Sequence, residues 1–374
     1  MREWSRIGAI GFGGPPAHIT LLRKLCVEDR GWLTSHEFED GIAATNLLPG
    51  PASTQLAIYC AWRLRGKLGG LIGGLCFIAP GLAIILVLAA FFLSAHPPLW
   101  VRGAAAGAGA AVPAVALSAA LVLIRASWRR AGDERWCQIR WLSYLVVGAV
   151  SAALVGPYLV LTLFGCGVLE AAVRGGSSTN LSPRAFAFIP ATVAPVAVGG
   201  LAALCWVAVK VGALSYGGGF VIIPLMQHDV VVTYHWMSGA QFLNAVALGQ
   251  VTPGPVVQTV AVVGYAAGGL GGGLLAALVA FAPSFCFVLG GAPHFDRLRS
   301  SAPIQAFLVG VGAAVIGAIG GSAIPLGREL AHLWQIGVLS LVALWLLGFR
   351  RAVVPALIAA GALGVVAVLA GAPS

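Results

Sequence analysis

The sequence predicts an all-α polytopic membrane protein built from two homologous halves. Three observations predict this: too few charges for a water-soluble surface, apolar runs of bilayer length, and a repeat at a constant offset of 204 residues, from Gly13 to Gly217 and from Pro49 to Pro253. Charged residues make up 9% of the 374, against about a quarter in an ordinary soluble domain. Runs such as 68–92 and 103–124 reach the roughly 18–20 residues a helix needs to cross hydrocarbon. A transmembrane β-barrel would show short alternating segments instead, and none is evident.

The repeat sets the organisation. Ile7-Gly8-Ala9-Ile10-Gly11-Phe12-Gly13-Gly14 matches Val211-Gly212-Ala213-Leu214-Ser215-Tyr216-Gly217-Gly218. Trp32 matches Trp236, Phe38 matches Phe242, and Arg6 matches Lys210. Pro49-Gly50-Pro51 matches Pro253-Gly254-Pro255, and Ala79-Pro80 matches Ala282-Pro283 after a one-residue slip. Residues 1–174 and 185–374 are therefore expected to be two repeats, joined over 175–184 by a linker containing Gly175-Gly176-Ser177-Ser178.

In chain order, the apolar pattern predicts spans at 7–26, 41–60, 68–94, 103–124, 141–156 and 157–173, with Gly156-Pro157 dividing the last two. The second half offers 211–227, 240–264, 270–291, 303–323, 333–348 and 352–371. The stretch 185–209, interrupted by Pro190 and Pro195, decides between twelve and thirteen crossings, so the expectation is about 12–13 transmembrane helices. Arg63, Arg65, Lys67, Arg125, Arg129, Arg130, Arg135 and Arg140 fall on the side of the N-terminus, and Arg23, Lys24, Arg30 and Arg102 fall opposite. Basic loops stay inside, so the N-terminus is expected in the cytoplasm. Placing Arg297, Arg299, Arg350 and Arg351 inside as well, against Lys210 and Arg328, requires the extra crossing and makes the halves inverted repeats.

The formal net charge is +10. Positive-inside loops account for it, an anionic cargo would add a second reason, and nucleic acid is not an expected partner. The seven cysteines form no C-x-x-C pair and no metal spacing, so they read as small packing residues. The polar start, Met1 to Arg6, carries no cleavable signal pattern. No H-E-x-x-H, G-x-S-x-G or phosphate-binding loop is present, which leaves no expected catalytic residue, metal site or cofactor.

Chemistry is expected at four interruptions. Phe12-Gly13-Gly14-Pro15-Pro16 and Tyr216-Gly217-Gly218-Gly219 lie inside apolar segments, where Gly and Pro both oppose a continuous helix. Broken helices inside a bilayer present amide groups and positive half-helix ends to anions; close helix packing is the plainer explanation of the glycines. The second pair is Asn46-Leu47-Leu48-Pro49-Gly50-Pro51-Ala52-Ser53-Thr54-Gln55 and Gln250-Val251-Thr252-Pro253-Gly254-Pro255-Val256-Val257-Gln258-Thr259. Each places an amide before the break and hydroxyl and amide groups after it, suited to oxygen atoms and equally to capping helix ends. Lys210, flanked by long apolar stretches, is a candidate anion contact, whereas Arg6 can snorkel to the interface. His18 follows the first break and titrates near neutrality in water.

Phe12–Ile19, Gly31-Trp32-Leu33, the run from Leu47 to Ala57, Phe77–Gly81, Ser215–Gly219 and Gly249–Val256 together resemble the chromate ion transporter (CHR) family. They cover the front part of each half. The resemblance implies secondary active efflux of chromate across the plasma membrane, which confers chromate resistance. The implied partners are chromate or a similar oxyanion and the lipid bilayer, with a homodimer as a candidate assembly. Sulfate, molybdate or a small organic anion are alternative cargoes, and an intramembrane enzyme on lipid-linked substrates or a membrane scaffold are alternatives of other classes. The cargo is expected between the Gly13–Pro16 and Gly217–Gly219 breaks, with a Pro-Gly-Pro element on either side.

Overall fold

The computed structural model describes residues 1–46, 48–94, 96–154, 158–175, 200–215, 220–291 and 301–373. Among these residues the ordered elements are helices, with no strand. Five are long and apolar enough to cross a membrane: Ala52–Phe92, Leu99–Ala131, Arg135–Leu154, Val256–Gly291 and Ala302–Arg328. The protein is a multi-pass membrane protein. Its outer face agrees: Leu71 and Leu75 in one half and Leu274 and Leu278 in the other point outward at one-turn spacing, where acyl chains rather than water can cover them.

Each half opens with a broken helix. α1 (Arg2–Ile10) stops before Gly11, and α2 (Pro15–Arg23) starts after Gly14 and runs into a π-helical turn at Lys24–Asp29. α9 (Leu201–Leu214) stops before Ser215, and α10 (Ile222–His228) runs into a π turn at Asp229–Thr233. The spans expected at 7–26 and 211–227 are thus interrupted at the glycine motifs, as their sequence predicts. Part of 185–209, the linker from 176 onward, Gly156-Pro157 and the charges Arg297 and Arg299 lie outside the described residues.

The next element corrects an expectation. Segments 41–60 and 240–264 are not single crossings. α3 (Ser35–Thr45) enters, the chain turns at Pro49-Gly50-Pro51, and α4 (Ala52–Phe92) leads back, because Gly41 lies against Leu56 and Tyr59. α11 (Gly239–Val251) and α12 (Thr259–Gly291) repeat this about Pro253-Gly254-Pro255, with Gly249 against Thr259. Two prolines flanking one glycine stop a helix and reverse the chain more readily than they bend it through. A further turn at Arg65–Gly66 folds α4 into an antiparallel hairpin, with Gly73 against Ala61, and Gly268–Gly269 does the same in α12, with Gly273 against Ala261.

The re-entrant arms are anchored by matching caps. Thr34 accepts from the Glu37 amide while Glu37 accepts from the Thr34 amide, and Ser238 and Gln241 make the same box. The first helix of each half then crosses the long hairpin where side chains vanish: Gly8 sits on the Phe77 carbonyl and Gly212 on the Ala280 carbonyl.

Helices are exchanged between the halves. α5 (Leu99–Ala110) of the first half packs on α16 (Val353–Leu369), with Gly103 against Gly364 and Gly107 against Ala360. Reciprocally, α13 (Ala302–Gly321) of the second half packs on α7 (Arg135–Leu154) and α8 (Leu159–Gly175), with Gly317 against Leu145 and Gly310 against Cys166. Near the end of α8, buried Glu170 is held by Arg140, Arg174 and Tyr144, so this intramembrane-edge carboxylate is fully committed to helix packing.

Candidate functional site

The first break meets the second Pro-Gly-Pro turn. The Gly11 carbonyl, freed where α1 ends, accepts from the Gly254 amide at 3.1 Å and from His18 Nε2 at 2.9 Å. One atom of the first half's break therefore holds the second half's Pro-Gly-Pro turn. His18 is fully buried, with its ring edge-on to Phe77 at 5.1 Å. Gly14 has φ 75° and ψ −155°, a conformation essentially reserved for glycine, and its nearest neighbour across the break is Val256.

Each Pro-Gly-Pro turn seats against the proline-containing helix of the other half. Gly81, which follows Pro80, abuts the Pro253 carbonyl and the Gln258 side chain, and Gln258 Nε2 donates to the Ile78 carbonyl at 2.9 Å. On the opposite side Gly50 lies beside Gln55 and Ser284, the residue that follows Pro283. Gln55 Nε2 donates to the Pro49 carbonyl at 2.7 Å.

The polar atoms here are unusual. Among the described residues, the buried side-chain atoms with no hydrogen-bond partner are His18 Nδ1, Thr54 Oγ1, Gln55 Oε1, Ser215 Oγ, Gln250 Nε2, Gln258 Oε1 and Ser284 Oγ. Every one belongs to a break or to the residue after Pro283. A buried unpaired polar group costs about 1–3 kcal/mol, so these seven atoms near the breaks are where water or a guest would relieve the greatest cost.

Other predicted positions are placed as follows. Ser53 and Thr54 lie buried in the first turn of α4, whose leading amides have no intrahelical partner. Thr259 Oγ1 donates to the Val256 carbonyl at 2.8 Å and so caps its own turn. Asn46, the C-cap of α3, and Gly13 are exposed. Pro15 and Pro16 open α2, and neither carries an N–H, so the first break offers fewer main-chain donors than its geometry suggests. Lys210 is buried but paired with the buried carboxylate of Asp229. Gly217, Gly218 and Gly219 lie outside the described residues.

Four contributors escaped the sequence reading. Ser215 and Ser284 were legible as the repeat partners of Gly11 and Gly81. The Gly11 carbonyl and Asp229 had no signal: a main-chain acceptor is invisible in sequence, and Asp229 has no counterpart, Leu25 standing at the matching position.

A sequence model of the family described as "Chromate transporter" matches residues 1–171 and 202–366. The chain belongs to this family. A "Chromate transport protein" of Cupriavidus metallidurans is 34% identical over 96% of this chain and 90% of its own length. A "Probable chromate transport protein" of Synechococcus elongatus is 30% identical over 92% and 88%, and a "Chromate transport protein" of Pseudomonas aeruginosa 28% identical over 87% and 80%. No solved structure matches. The relatives place the chain among transport proteins rather than enzymes.

Proposed function

We propose that the protein carries chromate out of the cell across the plasma membrane by alternating access, with residues 1–174 and 185–374 as inverted repeats, the linker at 175–184 and the N-terminus in the cytoplasm. One observation supports the site: among the described residues, the unpartnered buried polar atoms all lie on or within a few residues of a break or next to Pro283. The binding set would combine Gly13, Gly14, Pro15 and His18 with Pro49, Gly50, Pro51, Ser53, Thr54 and Gln55. From the second half it would take Gly217, Gly218, Gly219, Gln250, Pro253, Gly254, Pro255, Gln258 and Thr259, with Asn46 at the approach. Lys210 would act on the anion only on leaving Asp229. Neutral donors suit an anion that must be released as readily as it is bound.

Flux of labelled chromate into sealed inside-out vesicles, with pH gradient and potential set independently, tests the reading. Uptake that depends on either gradient is expected. Replacing Gly14 and Gly218 together by leucine should abolish it while the protein stays in the membrane; undiminished flux would show that the cargo binds elsewhere.

A further inference from the structure

We infer that a cavity far from the breaks, between the ends of α6 (Val112–Ala131) and α8 and the start of α13, binds the headgroup of an anionic phospholipid through Arg130 and Arg174. The inference stands whatever the cargo is. The cavity measures about 560 Å³, within the range of small-ligand sites. Arg130 comes from the last turn of α6 and Arg174 from the last turn of α8, and the stretch of α13 from Ala302 to Val309 forms the facing wall. On that wall Ala302, Ala306 and Val309 follow one another at four- and three-residue spacing, so they share one face of the helix and make an apolar stripe leading away from the arginines.

The mouth of the cavity carries uncompensated positive charge. Arg174 donates from Nε to Glu170 at 2.5 Å and from Nη2 to the Ala131 carbonyl at 2.6 Å, so its guanidinium is fixed between α8 and the end of α6. Arg140 donates from Nε to the same carboxylate at 2.9 Å. One carboxylate shared by two guanidiniums leaves the cluster with a net positive charge. Arg130 donates from Nε to the Ala126 carbonyl of its own helix at 3.4 Å, and among the described residues no carboxylate pairs with it. Ser301 gives α13 no side-chain cap, so the leading amides of that helix add a partial positive charge to the same mouth.

The surroundings select a lipid over a free anion. Trp128 and Trp136 are exposed close to Arg130 in sequence, as aromatic side chains are where a bilayer meets water. Leu169 and Val173, on the last turns of α8 beside Arg174, are exposed apolar side chains that acyl chains can cover. A small oxyanion would use the arginines and gain nothing from the apolar stripe, whereas a phospholipid uses both, its phosphate on the guanidiniums and its glycerol and upper acyl carbons along α13. A phosphatidylcholine headgroup would bring its own cation against Arg130 and Arg174, so a headgroup of net negative charge is preferred. The arginines belong to the first half and α13 to the second, so the bound lipid would tie the two halves together at the exchanged helix.

The test uses the full chain, purified and stripped of lipid in a neutral detergent. Dioleoyl phosphatidylglycerol and dioleoyl phosphatidylcholine are added in turn; native mass spectrometry counts the lipid retained by the folded protein and a thermal scan follows unfolding. Phosphatidylglycerol should be retained about tenfold better than phosphatidylcholine and should raise the unfolding midpoint. Arg130→Gln should weaken that retention about fivefold, and Val309→Trp, which fills the apolar wall without changing any charge, should weaken it too. Arg129→Gln, one residue away and outside the cavity, should retain the lipid as the unaltered chain does. Inorganic phosphate should neither displace the lipid nor raise the midpoint. Equal retention of the two lipids, undiminished retention in Arg130→Gln, or an equal loss in Arg129→Gln each overturns the inference. Displacement by inorganic phosphate overturns it as well, because the cavity would then be a site for a free oxyanion.

Discussion

The two halves make the same bends and hold different charges. The capping boxes at Thr34 and Ser238, the hairpin turns at Gly66 and Gly269, and the crossings at Gly8 and Gly212 correspond feature by feature. The side chains do not. Arg6 is exposed, whereas its partner position Lys210 is buried against Asp229. His18 stands where the second half has Ile222, and Ser284 stands where the first has Gly81. The difference has a physical reason. Each half must satisfy its own backbone in lipid, so the bends are needed twice. The breaks contact one another across the halves, as the Gly254 amide on the Gly11 carbonyl does, so a polar group supplied by one half need not be repeated in the other.

The charge asymmetry gives the largest expected effect. Lys210→Met leaves Asp229 buried without a partner and should cost about 3–5 kcal/mol. Thermal unfolding of detergent-purified protein reads this out. Lys210→Met combined with Asp229→Leu should recover most of the loss, and Arg6→Met should stay within about 0.5 kcal/mol. Equal losses at positions 6 and 210 would erase the distinction between the halves.

Next come the shared crossings. A side chain at Gly8 or Gly212 runs into main-chain carbonyls that cannot rotate away, so Gly8→Leu and Gly212→Leu should each destabilise by about 3 kcal/mol. The yield of monodisperse protein should fall alike for both. A large effect at one alone would mean that the matched geometry does not carry matched energy.

Gly14→Ala separates backbone strain from crowding. The added methyl meets nothing closer than Val256 Cγ2 at 3.7 Å, so its cost, about 1–3 kcal/mol, should come from the conformation alone. The variant should remain in the membrane with reduced chromate flux. The smallest effects are expected at the caps. Thr34→Ala and Ser238→Ala should each cost about 1 kcal/mol, seen as similar falls in melting temperature.

Much of this was legible along the chain. Low charge and long apolar runs gave the membrane class, and motifs recurring in register gave the two halves and the four Gly/Pro interruptions, of which Gly217–Gly219 lie outside the described residues. The direction of the chain after Pro-Gly-Pro was not legible, because a stop signal ends a helix without saying whether the next one continues or returns. Nor was the fate of Lys210 legible, since its partner is a carboxylate with no counterpart in the other half.

Sequence alone determined where the backbone must break, because glycine and proline act locally and a bilayer forbids unsatisfied main-chain groups. Only the tertiary structure decided which breaks meet and which helices the halves exchange. It also decided which side chains are left wanting a partner. Those outcomes depend on contacts between segments some two hundred residues apart, such as the Gly254 amide on the Gly11 carbonyl, and no local pattern encodes them.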